Sequence, residues 1–277
     1  MEARARLRSA SGLALTATLM VAESASAQLR PLDPLDWSTV GVEEKSFVAG
    51  GGVFTGQRAS LAGTEGRLLE LGSFRATWSL GRVALELAGT ALRIFDERSV
   101  FAEPLVDVLP ADGTRRSDVG DYRVSTVVRL VEPSPGQVVA LRFGVRLPTT
   151  DNLQGLDRDA TDFYSLLAGR VAKGAFAVGG ELGLGINGTR DPRHEQVDPL
   201  LFALSARYDL GRAKAVLELA GQHDTRPSPD RRGTEDLGEA RVGLELGRRR
   251  WMSIAAVRGW TPSSPDFGVI VKFGTRF

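Results

Sequence analysis

The chain has no cysteine in its 277 residues, which excludes disulfides and thiolate metal sites. It has only two histidines, His194 and His223. It also lacks an excess of either charge, with 35 Lys and Arg against 34 Asp and Glu, so nothing in its balance points to nucleic acid. No stretch beyond the N-terminus approaches the ~20 apolar residues of a membrane helix. If this chain crosses a membrane, it must do so as strands.

The first 27 residues have the three parts of a secretory signal, in order. Arg4, Arg6 and Arg8 form a basic start, Gly12 to Ala22 is apolar, and Ala25-Ser26-Ala27 gives a small-x-small cleavage pattern after Ala27. Without this segment the chain has 32 basic residues (35 less three Arg) and 32 acidic ones (34 less Glu2 and Glu23). Residues 28–44 carry Pro31 and Pro34 and read as an irregular periplasmic lead-in.

From Lys45 the pattern alternates with a period of two, the mark of a strand with two different faces. In 137–147, Val139, Leu141, Phe143, Val145 and Leu147 oppose Ala140, Arg142, Gly144 and Arg146. In 121–131, Tyr122, Val124, Thr126, Val128 and Leu130 oppose Arg123, Ser125, Val127 and Arg129. Twelve such segments lie near 45–55, 68–80, 82–94, 120–132, 137–147, 162–173, 174–187, 199–209, 212–222, 236–247, 250–260 and 267–277.

Long connections near 56–67, 95–119, 148–161, 188–198, 223–235 and 261–266 alternate with tight ones at Gly81, 132–136, 173–174, 210–211 and 247–249. An even strand number, with short turns on one side and long loops on the other, predicts an all-β, antiparallel up-and-down transmembrane barrel over 45–277 in a bacterial outer membrane, facing outer-membrane lipid. Aromatic rings fall at both expected rims: Phe95, Tyr122, Phe163, Trp260 and Phe267 at the outer one, Trp78, Phe176, Tyr208, Trp251 and Phe277 at the inner one. A soluble β-sandwich also alternates, but it requires neither the loop rhythm nor closure, which lipid demands of every backbone group.

The last strand ends Val271-Lys272-Phe273-Gly274-Thr275-Arg276-Phe277. It resembles the C-terminal signal read by the bacterial barrel-assembly machinery, with Phe273 and Phe277 as its apolar marks. A second resemblance runs from Phe143 to Phe163. Leu147, Pro148, Thr149, Asp151, Gly155, Leu156, Asp162 and Phe163 are similar to a stretch of the outer-membrane family of phenol-degradation meta-pathway proteins; Thr150 and Asp157 stand where that family has glycine. The resemblance implies a transporter of small, often aromatic, compounds. Physically, Pro148 ends a strand, Gly155 permits a turn and Asp162 caps the next strand.

Catalytic and cofactor signals are weak. Ser228 lies near His223 but in no motif, and Asp191, His194 and Glu195 match no metal-site spacing. Gly183 to Gly188 matches G-x-G-x-x-G, yet lies in a strand rather than between a strand and a helix. No catalytic, cofactor or metal residue is assigned, and no enzyme activity is expected. The inward face is richer. The register points Arg75, Arg123, Arg129, Arg142, Arg146, Glu181, Arg207, Lys214, Glu218, Arg241 and Lys272 into the lumen, joined by Glu86, Glu239 and Glu245. Such charges must pair or meet water. The expectation is a narrow channel or transporter for small hydrophobic or anionic solutes. Its alternatives are a non-transporting structural or interaction barrel of the envelope and an outer-membrane lipid hydrolase.

Overall fold

The computed structural model describes residues 29–40, 43–105, 107–150, 152–188, 196–226 and 233–277; residues 1–27, read above as a signal segment, lie outside them. The strands are β1 (Lys45–Ala59), β2 (Thr64–Leu80), β3 (Val83–Val100), β4 (Arg115–Asp118), β5 (Tyr122–Val131), β6 (Gln137–Leu147), β7 (Asp162–Lys173), β8 (Phe176–Gly188), β9 (Gln196–Val197), β10 (Pro199–Asp209), β11 (Ala213–Asp224), β12 (Leu237–Gly247), β13 (Arg250–Gly259) and β14 (Phe267–Arg276). All pair antiparallel in one sheet. β4 and β9 are short ribbons on β3 and β8, and the other twelve form the wall of a barrel. The wall closes where β1 meets β14, from Ser46 opposite Arg276 to Thr55 opposite Phe267. Phe277 extends that seam by exchanging backbone bonds with Lys45 at 2.9 and 3.0 Å.

Burial is inverted relative to a soluble protein. Leu182, Leu184 and Ile186 on β8 are about half exposed, while Glu181, just before them, is 5% exposed and points inward. The same inversion puts Val124, Phe143, Leu167, Val242 and Ile254 outside and Ser125, Arg142 and Arg241 inside. No helix among the described residues is long and apolar enough to cross a membrane.

Three features depart from the sequence-based expectation. Most of the predicted loop 56–67 is strand: β1 and β2 rise above the rest of the wall, with β3 beside β2 up to Val100, and turn at 60–63, with Gly63 in the left-handed region. The inside–outside phase also inverts within β2 and β3. Gly72, at φ 63°, forms a bulge against β1, so that both Glu70 and Arg75 reach the lumen. On β3, Thr90 and Arg93 are both buried, with Ala91 and Leu92 exposed between them. After this slip Phe95 points inward, fully buried, rather than to an outer girdle. Trp251 also faces inward, over Gly274, whereas Trp78, Phe163, Phe176, Tyr208, Trp260 and Phe267 stay half exposed.

The third departure concerns residues 28–44. Described residues 29–40 run up the inside of the barrel instead of lying beside it. Leu29 packs with Phe54, Leu61, Leu68, Phe95 and Leu156 at the long-loop end. Leu32 packs on Tyr164, Leu166 and Leu201. Leu35 and Trp37 pack on Ala84, Val127, Ala140 and Ala168 in the other half. The wall offers these apolar footholds among its polar groups, so the segment gains more by entering than by staying in water.

Candidate functional site: the strapped lumen

The internal strap has a three-residue repeat: Leu29-Arg30-Pro31, Leu32-Asp33-Pro34, Leu35-Asp36-Trp37. It is neither helix nor strand. A period of three with two prolines suits an extended polyproline-type rod, at ~3.1 Å per residue. Leu29 to Trp37 then reaches roughly 25–28 Å, close to the thickness of a hydrocarbon layer. The leucines take the apolar footholds and the charged position of each triplet meets a charged part of the wall.

Arg30 donates Nε and Nη2 to the two oxygens of Glu239 at 2.9 and 2.7 Å, and Nη1 to Glu70 at 3.1 Å. Its guanidinium lies 4.1 Å from the centre of the Phe54 ring. Asp33 faces three cations, Arg241 at 2.5 Å, Arg75 at 3.5 Å and Lys272 at 3.6 Å. Asp36 lies 3.8 Å from Arg207. The backbone is held as well: Arg75 donates to the Pro34 carbonyl, Arg142 to that of Asp33, and the Leu35 N–H to Glu181. The same wall charges also pair with one another, with Arg142 bridging Glu86 at 2.6 Å and Glu181 at 3.2 Å.

Above the strap, residues 152–161 fold inward over the mouth. Gly155, at φ 67°, makes the turn, and Leu156 enters the apolar cluster above Leu29. Asp157 receives Arg93 at 2.9 Å and Arg146 at 3.1 Å; Asp162 receives Arg146 and Arg158 and accepts the Gly188 N–H. Burial, together with the neighbouring Asp121 carboxylate, pushes Asp157 up to about 8 against the pull of Arg146 and Arg93. The aspartate in this loop thus fastens it to the barrel interior.

The residues predicted to line the lumen divide among these groups. Arg75, Arg241 and Lys272 hold Asp33; Arg142 and Glu181 belong to the wall group; Arg146 holds the folded loop. Arg123 pairs with Asp121 beside that loop. Arg207 and Glu218 lie 4.0 Å apart, and Lys214 meets Glu245 at 2.7 Å. Arg129 sits at the short-turn rim, paired with exposed Glu132, and takes no part in these lumen groups. Sequence reasoning missed Arg30, Asp33, Asp36, Asp157 and Asp162 as interior groups; the triplet repeat was the signal for the first three. Phe273 and Phe277 face outward, about 60% exposed.

What space remains is divided. A cavity of about 170 Å³ lies beside the strap near Asp33, and another of about 210 Å³ lies at the short-turn end beside Trp37. At ~30 Å³ per water these hold a handful of waters each. A separate apolar groove of about 720 Å³ lies on the outward face of β5–β8, with Ser165 among Phe143, Phe163 and Leu184. β6, β7 and β8 carry no histidine. His223, on β11, pairs with Asp236 at 2.7 Å. His194, Asp191, Glu195 and Ser228 lie outside the described residues, among which no group of acids and histidines is arranged to hold a metal.

No protein-family model matches the chain, and no curated protein does. Solved structures do. The outer membrane phospholipase A of Escherichia coli is 12% identical over 87% of this chain and 98% of its own, with a TM-score of 0.43. A loop-deletion mutant of OmpT, an outer membrane protein of Vibrio cholerae, is 10% identical over 84% and 98%, with a TM-score of 0.42. CdiB from Acinetobacter baumannii is 8% identical over 85% of this chain, which spans only 60% of that one, with a TM-score of 0.38. The closed antiparallel β-barrel fold of this chain rests on its own strand pairing, β1 to β14 included.

Proposed function

We propose that the chain is a bacterial outer-membrane barrel whose lumen is a narrow passage for small solutes, anions preferred, held shut at rest by the strap 29–40. The observation that carries this reading is the wall beneath the strap. Glu70, Arg75, Arg207, Glu239, Arg241 and Lys272 present charge there, each opposite a charged strap residue. A strap that served only as filler would be matched more cheaply by an apolar wall. Charged groups are ones that water can cover again when the strap leaves. The outward apolar band supports contact with outer-membrane lipid, and the signal segment, cleaved after Ala27, fits export. Phe273 and Phe277 fit recognition by the barrel-assembly machinery. The likeness of 143–163 to the phenol-degradation family supports small-molecule cargo.

The test is conductance in planar lipid bilayers. The full chain should conduct little, and a chain lacking residues 29–39 should show anion-selective conductance. A folded deletion variant that stays silent removes the passage and leaves the second reading, a structural or interaction barrel, which the density of interior ion pairs favours. The hydrolase reading requires a histidine at a serine on the lipid-facing wall; His223 reaches Asp236 instead. Undiminished hydrolase activity after replacing both histidines would remove it.

A further inference from the structure

We propose that the short-turn end of the lumen holds a binding site for a small oxyanion of phosphate size. The cavity of about 210 Å³ there is lined by four cations from four strands: Arg170 of β7, Arg207 of β10, Lys214 of β11 and Arg276 of β14. Trp37 and Ser38 of the strap close its inner side. The cations are unevenly paired. Lys214 has Glu245, and Arg207 has Asp36 and Glu218 at 3.8 and 4.0 Å. Arg170 and Arg276 have no carboxylate within ion-pair distance among the described residues. Asp209, the one acid on the lining, is exposed and accepts the Gly211 N–H at 2.7 Å.

A second observation points the same way. The Nε atoms of Arg207 and Arg276 are shielded from solvent and have no hydrogen-bond acceptor. Arg142, Arg146 and Arg158 share this feature in the ion-paired interior, but only Arg207 and Arg276 line this cavity, and a buried donor without an acceptor calls for one. Guanidinium groups present planar forks that suit the paired oxygens of phosphate or a carboxylate. The volume lies below the ~300 Å³ of drug-sized pockets, which restricts the occupant to a small ion with its waters. Arg207 and Arg276 also line the cavity beside Asp33, so the site opens toward the middle of the lumen. The site gives the passage proposed above its substrate class and rests on that reading for its use, but its occupancy can be measured on the closed barrel.

The experiment is calorimetric titration of the full folded chain in detergent with inorganic phosphate, at constant ionic strength against chloride. Phosphate should bind with one site per barrel. Arg170→Gln and Arg276→Gln should each weaken it about tenfold, and the pair about a hundredfold. Arg248→Gln, an exposed cation at the same end, should leave it unchanged. If Arg276→Gln fails to fold, Arg170→Gln carries the test. No binding beyond that of chloride, or equal weakening by Arg248→Gln, overturns the site. Phosphate binding with a silent strap-deleted barrel removes the passage and keeps the site; conductance without phosphate binding does the reverse.

Discussion

Arg30 is the position at which the strap is most open to attack. It is the basic residue of the first triplet, its side chain is 12% exposed, and it is shared between Glu239 and Glu70. Breaking a buried ion pair by removing one partner costs ~3–5 kcal/mol, because the other charge stays buried. Glu239 would keep Arg241 at 3.0 Å and Glu70 would keep Arg93 at 3.1 Å, which places Arg30→Ala at the lower end, ~3 kcal/mol. That penalty falls on the seated strap alone, since a withdrawn strap leaves the acids to water. At ~1.4 kcal/mol per decade, the withdrawn population should rise about a hundredfold. The absence of native cysteine supplies the assay. A single Thr39→Cys, 2% exposed at the base of the strap, should react with a maleimide only when the strap moves out. Arg30→Ala should raise the labelling rate by about two orders of magnitude. Lys45→Ala, which removes a cation from the exposed rim over Trp78, should leave it alone. Equal labelling rates with and without Arg30 would refute the clamp.

Three further outcomes are expected. Asp157 is held at about 8 when folded against 3.8 for an aspartate in an unfolded chain, so the folded protein binds an extra proton between those values. Its contribution to stability therefore falls as pH rises from about 4 to 8, by at most ~1.4 kcal/mol per pH unit; Asp157→Asn should flatten urea-unfolding stability over pH 5–8, and an unchanged slope would contradict the assignment. Gly179→Val would drive a side chain into the Trp37 indole, whose Cε2 lies 2.7 Å from any Cβ built there. It should cost ~1–3 kcal/mol and shift Trp37 fluorescence to the red as the ring meets water, whereas an unshifted spectrum would mean the ring has room. Phe277→Ser should lower assembly in cells while sparing refolding into detergent; an equal loss in both would make Phe277 a packing residue rather than a signal.

The barrel was legible because each strand obeys one rule over ten or more residues. Leu182, Leu184 and Ile186 alternate with Gly183 and Gly185, and lipid on one side with the lumen on the other makes that alternation physical. The lumen charges followed from the same rule, as with Arg142 between Leu141 and Phe143. Phe95 was misplaced because the rule is local. A one-residue slip, at Gly72 on β2 and between Thr90 and Arg93 on β3, reverses every later side chain, and period-two counting carries no sign of it. Residues 56–67 read as a long connection, but Gly56 and Gly66 within it lie in strands that extend beyond the rest of the wall. The strap escaped notice for another reason. Its period is three, and a segment with neither helical nor strand spacing reads as a linker until the barrel shows where Arg30 and Asp33 find their partners.

That triplet spacing has a mechanical consequence. A rod with a repeat can slide by one notch, and here one notch is ~9 Å toward the short-turn end. The leucines would find leucine footholds again, so apolar packing alone would tolerate the slide. The charges would not. Arg30 would arrive among Arg75, Arg241 and Lys272, the three cations that now surround Asp33. Like charges at such distances repel by several kcal/mol in a poorly hydrated interior. The alternation of sign between Arg30 and Asp33 therefore acts as a ratchet tooth: it forbids the half-drawn position and leaves the strap two resting places, fully home or fully out.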